Sequence, residues 1–486
     1  MIGITGYGAY LPRLRMRRQA IAEANAWYAP NIRGKGTRTL ANWDEDVVTM
    51  AVAAARDCLG RGDDRGNIAA LMLASTTLPF AERLNGAIVA RALTLDRSVA
   101  ASDVGGSQRA GLTALQHALD AVAAGRGDAL VLSADARRAR PGSGSELAFG
   151  DGAAALTIGS EGVLAQFLGS ASESVDFVDR FRLAGEPFDY VWEERWVRDE
   201  GMSKMMPGVI GAALADAGID PGSVDHFIMP STLRNIDAQV AKAVGIPADA
   251  VVPTLFERIG ECGTAHALIL CAKVLETAKP GELIVLGQFG SGAQAMVFRV
   301  TDEVGAVRPL RGVSGWMARG VEEDRYTKFL SFKGEIALER GMRGEQDQKT
   351  ALSTAYRHED ALLGFVAGRC EVTGEVSFPP SRIIYAEGQP LKDTQRPYGL
   401  AERPAKVLSW SAEYLSFHRS PPHCYGQIDF DGGGRVLMEF TDVDPDAIDS
   451  GMDVEMTFRI KAIDETRGYR RYFWKATSAR PAQEEH

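Results

Sequence analysis

Apolar positions recur along the chain in two periods, and the order in which they alternate predicts a layered α/β body followed by an all-β domain. Ala110, Leu112, Leu115, Leu119 and Val122 fall on one face of a helix, the spacing of an element buried on one side. A second helical pattern covers residues 50–59, and after a polar turn it gives way to an apolar run at 68–75, short enough for a buried strand. The succession returns later as a helical pattern at 209–217, a turn at 218–223 and an apolar run at 224–230. Each copy continues through a helix into a further apolar strand, 129–133 in one and 282–287 in the other. This echo predicts two βαβ-rich halves, residues 1–165 and 166–303.

Residues 304–357 turn charged and helical and are expected to form a connector. Beyond them, alternating segments at 361–367, 407–417, 425–430, 435–440, 454–460 and 469–475 predict a small β-barrel within residues 358–486. Between the two halves, residues 181–196 set Phe181, Phe188, Tyr190, Trp192 and Trp196 among Asp, Glu and Arg. This stretch reads either as a surface hairpin packing its rings on the body or as a cap over an acyl-sized pocket.

Composition narrows the partners. With 486 residues, 45% of them hydrophobic, the chain has material for two or three domains with large cores. A net charge of -10 argues against nucleic acid and anionic membrane as main partners. No run of eighteen apolar residues is present, and the N-terminus enters a strand at once without the pattern of a secretion signal. Five scattered cysteines suit a reducing compartment better than a disulfide framework. A cytoplasmic protein is expected.

Candidate chemistry starts at Gly105-Gly106-Ser107-Gln108-Arg109, a strand-to-helix turn facing the positive end of the 110–122 helix. A Cys there would be activated as a thiolate, whereas the Gln108 amide only donates and accepts hydrogen bonds. A second group, Glu261-Cys262-Gly263-Thr264-Ala265-His266, places a carboxylate, a thiol and an imidazole at a helix start. Glu261 is a candidate general base and His266 a candidate donor to an enolate oxygen. The alternatives are a His266 that only hydrogen-bonds within the core and a Cys262 that is either a small buried hydrophobe or an acyl carrier.

The opening Gly3-Ile4-Thr5-Gly6-Tyr7-Gly8-Ala9-Tyr10-Leu11-Pro12, the stretch Phe149-Gly150-Asp151-Gly152-Ala153, and the late Phe289-Gly290-Ser291-Gly292-Ala293 together resemble the thiolase superfamily. The likeness is to its ketoacyl synthase III and archaeal-type HMG-CoA synthase branch and covers residues 1–300. The resemblance implies a five-layered αβαβα sandwich with the site between its halves, a homodimer, and a substrate tunnel shaped by the region of residues 181–196. It places Gln108 at the family's catalytic Cys, with Ser107 there if the register slips by one, and Thr76 at the family's Glu. Met229 or Pro230 falls at the family's His, and Glu261 at its Asn. Every standard catalytic side chain is replaced, so a covalent acyl intermediate is not expected.

The segments Cys370-Glu371-Val372-Thr373-Gly374, Ser377-Phe378-Pro379-Pro380-Ser381 and Tyr425-Gly426-Gln427-Ile428-Asp429-Phe430 resemble the OB-fold domain, preceded by a zinc ribbon, that accompanies thiolases. Of the four cysteines of that ribbon only Cys370 remains, with Thr373 in its partner's place. A closed zinc site needs four ligands, so no metal is expected. The acidic charge argues against an oligonucleotide ligand for this barrel.

Two classes of function remain. A non-catalytic scaffold subunit for a thiolase or aldolase partner is one; an enzyme of changed mechanism is the other. An amide in the nucleophile position has a precedent within the superfamily, in decarboxylating ketosynthase-like domains that make an enolate without being acylated. The expected activity is therefore acyl transfer of Claisen or retro-Claisen type on a β-keto acyl substrate, aliphatic or aromatic. A coenzyme A thioester is the substrate and no cofactor is tightly bound. Decarboxylation and retro-aldol cleavage are the alternatives. The expected catalytic set is Gln108, Glu261, His266, Cys262, Thr76 and Ser107, with Arg109, Gly290, Ser291 and Gly292 against coenzyme A. Arg137 and Arg138 read as solvated surface, the alternative being contacts to a coenzyme A phosphate.

Overall fold

The computed structural model describes residues 1–62, 65, 67–344, 349 and 351–479. The body is carried by β1 (Gly3–Tyr10), β2 (Ile68–Ala74), β3 (Ala100–Val104), β4 (Asp128–Asp135), β5 (Gly152–Gly159), β6 (Ala165–Ser174), β7 (His226–Ile228), β8 (Leu283–Phe289) and β9 (Gly292–Val300). They form one ladder in the order β7-β8-β9-β6-β1-β5-β4-β2-β3. β1 and β6 pair only at Gly3–Gln166 and Ile4–Ala165. The ladder is thus two sheets meeting at a corner, β3-β2-β4-β5-β1 and β7-β8-β9-β6.

The echo in the sequence is a repeat in topology. In the first sheet β2 runs parallel to β3 and β4, while β4–β5 and β5–β1 are antiparallel. In the second, β7–β8 is parallel and β8–β9 and β9–β6 are antiparallel. A single bridge from Phe227 to Val251 stands where a counterpart of β3 would lie.

Four helices supply the other layers: α1 (Val47–Leu59), α2 (Ala110–Ala123), α3 (Ser203–Ala217) and α4 (His266–Leu275). α1 covers the outer face of the first sheet and α3 that of the second. α2 and α4 pack on each other and touch both sheets, which gives the five αβαβα layers. Their position explains their composition: residues 266–272 of α4 are at most 1% exposed, because a helix between two sheets has no wet face. No helix among the described residues is long and apolar enough to cross a membrane.

The connector supplies helices Gly312–Ala318 and Tyr326–Lys333, and the Gln-rich stretch 345–348 lies outside the described residues. The C-terminal barrel consists of β10 (Ala405–Glu413), β11 (His423–Phe430), β12 (Arg435–Glu439), β13 (Asp453–Asp464) and β14 (Tyr469–Ser478), in the order β12-β11-β10-β13-β14. A bridge between Phe440 and Ala476 closes it. The strand expected at 361–367 is instead a short helix, Glu359–Leu362, followed by the strand Val366–Cys370. Gly364 and Phe365 (φ 52°) turn the chain between them, so the apolar run there reflects two buried turns of different kind.

A buried charge cluster fixes the barrel to the body. The Arg459 guanidinium, 1% exposed, lies 2.7 Å from Asp442, 3.0 Å from Glu45 and 3.7 Å from Asp44. It also donates to the Tyr10 hydroxyl at 3.0 Å. Lys475 pairs with Asp44 at 2.9 Å, and Tyr472 donates to Asp46 at 2.7 Å. Burial pushes Glu45 up to about 7 even beside Arg459.

Candidate functional site

β3 ends at Val104, and the chain turns through Gly106 (φ 85°) to Ser107, Gln108 and Arg109 before α2 begins. This turn meets the β8–β9 loop. The Gly290 carbonyl accepts from the Ser107 hydroxyl at 2.7 Å and from Arg109 Nε at 3.1 Å. A Cβ on Gly290 would lie 2.8 Å from Ser107 Oγ and 3.1 Å from the Gln108 nitrogen, so only glycine lets the two turns approach. The Ser107 hydroxyl, given to a carbonyl, has no base to activate it among the described residues. Gln108 is buried; its Nε2 reaches Thr76 Oγ1 at 3.4 Å, and its Oε1 has no partner among the described residues.

A cleft of about 370 Å³ opens above this turn, lined by Ser75, Thr76, Leu78, Phe80, the 105–108 turn, Asp179 to Arg182, Asp189, Gly290 and Ser291. Its roof is the aromatic segment, which forms a hairpin of Arg180–Phe181 against Tyr190–Val191. Arg182 fastens that hairpin, pairing with Asp189 and donating to the Thr76 carbonyl. Phe181 faces the cleft and packs on Tyr190 at 5.2 Å. Trp196 stacks on Phe177, which packs edge-on against Phe289. The segment is a hairpin on the body and a cap at once.

Below the cleft lies a residue that the sequence patterns did not single out. Asp135, the last residue of β4, is fully buried. Its Oδ1 accepts from Ser75 Oγ (2.9 Å), Thr76 N (2.8 Å) and Thr77 Oγ1 (2.9 Å). Its Oδ2 accepts from Thr264 N at 2.9 Å, and Thr76 Oγ1 lies 3.1 Å from both oxygens. Gly263 (φ 59°) passes so close that a Cβ there would sit 2.1 Å from Oδ2. The one signal in the sequence was register: β2 and β4 are parallel neighbours with Ala74 opposite Ser133, so Asp135 and Thr76 end their strands at the same level.

The structure corrects the reading of residues 261–266, none of which lines the cleft. The Glu261 backbone pairs with Ala148 and Gly150, at 2.8 and 2.9 Å, and turns its side chain into the interior. There its carboxylate pairs with Arg137 and accepts from the Gly263 N–H at 2.8 Å. Arg137 is accordingly not surface: it is fully buried, lies 3.8 Å from the Phe149 ring centre, and is lowered to about 9 by burial. His266 Nδ1 accepts from the Cys262 N–H (3.1 Å) and Nε2 donates to the Thr254 carbonyl (2.8 Å). Both ring nitrogens are occupied and burial lowers the imidazole to about 4, so the ring is neutral and its one N–H is committed to the Thr254 carbonyl. Burial pushes the Cys262 thiol up to about 12, which leaves it no thiolate character. Met229 is core, packed against Gly287.

Of the residues expected against coenzyme A, Gly290 and Ser291 line the cleft. Arg109 sits beside it, half-buried, with Nη2 2.7 Å from Ser174 Oγ. Gly292 lies off the cleft, where a Cβ would strike the Glu173 carbonyl. Arg138 is partly exposed and paired with Glu335 at 2.8 Å. In the barrel domain Cys370 Sγ accepts from the Val372 and Thr373 N–H groups at 3.4 and 3.5 Å and neighbours the Thr394 hydroxyl. No three His, Cys, Asp or Glu side chains converge as a metal site among the described residues.

Residues 214–300 match the family model of the 3-oxoacyl-[acyl-carrier-protein] synthase III C terminal, and residues 400–459 that of the ChsH2 C-terminal OB-fold domain. A hydroxymethylglutaryl-CoA synthase of Caldivirga maquilingensis is 30% identical over 349 residues, 70% of this chain and 99% of that protein. One from Aeropyrum pernix is 30% identical over 347 residues, 69% of this chain and 95% of its own. Among solved structures, 3-oxoacyl-(acyl carrier protein) synthase III of Pseudomonas aeruginosa superposes with a TM-score of 0.55 at 20% identity, over 62% of this chain and 98% of that one. An HMG-CoA synthase complexed with CoA gives 0.59 at 15% identity, over 72% and 94%.

Proposed function

We propose, for a chain that belongs to the hydroxymethylglutaryl-CoA synthase family, an enzyme of acyl-CoA carbon–carbon bond chemistry that works through an enolate and never carries the acyl group itself. The observation behind this reading is Gln108 at the head of the turn. An amide cannot be acylated by a thioester, yet everything around it is built for close approach: the Gly290 contact, the start of α2, and a Gln108 N–H that makes no hydrogen bond among the described residues. That N–H is placed to stabilise a thioester or enolate oxygen.

The cleft volume is that of a small acyl group with part of its carrier. The Phe181 wall and the Leu78 and Phe80 side chains suit an apolar β-keto acyl group, aliphatic or aromatic. Arg109 beside the cleft, with Arg180 in its lining, offers positive charge to an anionic part of the substrate. A coenzyme A thioester is substrate here and no cofactor is held. We include in this reading a homodimer, for which the outer edge of β3 is free, and a cytoplasmic setting, which the five free, buried cysteines suit.

The test is turnover of β-keto acids and β-keto acyl thioesters with and without acetyl-CoA or free CoA, followed by mass spectrometry. Acyl exchange identifies the transferase; carbon dioxide or aldehyde release identifies a lyase using the same enolate. Gln108→Ala, which keeps the backbone N–H and removes only the side-chain amide beside Thr76, is expected to cost about 10²-fold in kcat, the scale of a lost orienting donor. No turnover of any of these, together with tight capture of a thiolase or aldolase subunit, would replace the enzyme by the scaffold.

A further inference from the structure

We propose that Asp135, acting through the Thr76 hydroxyl, takes the proton that leaves the acyl α-carbon; this rests on the enolate reading above. A carboxylate buried away from water is costly unless charge or hydrogen bonds compensate. Asp135 has no ion pair among the described residues and is held entirely by neutral hydroxyls and amides. Of these donors Ser75 and Thr76 border the cleft, and Thr76 Oγ1 reaches both carboxylate oxygens, so the carboxylate meets the cleft through that hydroxyl.

Three of its donors are side-chain hydroxyls, and they are not equivalent. Ser75 is buried and its oxygen also accepts from the Thr77 N–H at 2.9 Å. The Thr77 oxygen accepts from the Ala136 N–H at 3.0 Å. Both are closed on donor and acceptor sides. Thr76 lines the cleft, reaches both carboxylate oxygens, and accepts only the long contact from the Gln108 amide. Its free lone pair is therefore the basic atom presented to a substrate. The carboxylates in the cleft lining, Asp179 and Asp189, are paired with Arg180 and Arg182, and Glu261 is paired with Arg137 and lies off the cleft.

In the step this implies, the α-carbon–hydrogen bond breaks and its electron pair forms the enolate double bond, leaving negative charge on the thioester oxygen beside the Gln108 N–H. The proton bonds to Thr76 Oγ as the threonine's own proton passes to an Asp135 oxygen. One neutral thioester and one carboxylate become one enolate and one carboxylic acid. The reverse transfer reprotonates the product. Thr76 is the catalytic residue of the pair and Asp135 acts through it.

Deuterium wash-in from D₂O tests the relay without knowledge of the second substrate. Acetyl-, propionyl- and phenylacetyl-CoA are incubated with the full-length protein and read by mass spectrometry. Wild type is expected to exchange α-hydrogens with at least one of them. Thr76→Ser should keep the rate within about tenfold. Thr76→Val and Asp135→Asn should each lose about 10²- to 10⁴-fold at saturation, with KM changed less than about threefold. A folded Thr76→Val exchanging at the wild-type rate would overturn the relay while leaving the enolate reading in place. A wild type that exchanges none of the three thioesters would overturn both.

Discussion

Replacing His266 by Gln separates a structural imidazole from a catalytic one, because the structure sets both the sign and the size of its effect. The ring is neutral in the fold, with Nδ1 accepting from Cys262 and Nε2 donating to Thr254. Burial holds it at about 4, against an ordinary value of 6.5. Between those values the unfolded chain binds a proton that the native protein refuses, so stability is fully present above about pH 6.5 and is lost as pH falls toward about pH 4. The whole interval is worth about 3 kcal/mol, and the part between about pH 7 and about pH 5 about 2 kcal/mol. Glu45 acts in the opposite sense, since its folded value is raised to about 7; stability from that group falls as pH rises from the ordinary carboxylate range. Urea unfolding of wild type and His266→Gln at about pH 7 and about pH 5 isolates the histidine, because Glu45 and every other group cancel in the double difference. The variant should be less stable at neutral pH and should lose about 2 kcal/mol less on acidification. Equal acid sensitivity in both proteins would refute the assignment of a neutral, fully engaged ring.

Arg459→Met should destabilise the protein by about 3–5 kcal/mol in urea, because Glu45, Asp44 and Asp442 would remain buried around a missing cation; a loss below about 1 kcal/mol would mean that water reaches the cluster. Incubation with acyl-CoA thioesters should leave the intact mass unchanged, since Ser107 donates to the Gly290 carbonyl and burial pushes the Cys262 thiol to about 12. An adduct mapped to either residue would restore a covalent mechanism.

The halves, the turn at Gln108 and the barrel were legible because each rests on local periodicity or on a turn that glycines mark. Residues 68–75 and 224–230 read as buried strands whatever lies beside them, and β2 and β7 are those strands. The contents of the site were less legible, because direction is set by tertiary pairing. Glu261 and His266 sit in a motif-like cluster, yet the pairing of Glu261 with Ala148 and Gly150 points the carboxylate inward. Arg137 looked like surface in an Arg-rich stretch, and it is buried because Glu261 and the Phe149 ring wait for it. Asp135 carried no motif at all; its partners come from residues 75–77 and 264, which only the fold assembles.

Glu261 nevertheless bears on the cleft, by a route that runs through packing. At the end of the connector helix, Lys333 places Nζ 2.6 Å from both oxygens of Asp151 and 3.3 Å from the Arg137 carbonyl, while Glu335 holds Arg138. Arg137 in turn holds Glu261, whose other oxygen fixes the Gly263 N–H. The next residue, Thr264, donates to Asp135, and Asp135 orients Thr76 at the cleft floor. Each link is a buried, directional contact, and such contacts shift together when one is cut. The connector is therefore anchored inside the body by Lys333, and the barrel is anchored on the other side by Arg459 and Lys475. A segment that in sequence resembles a tether between two domains is, in the fold, part of the frame that sets where the Thr76 hydroxyl stands.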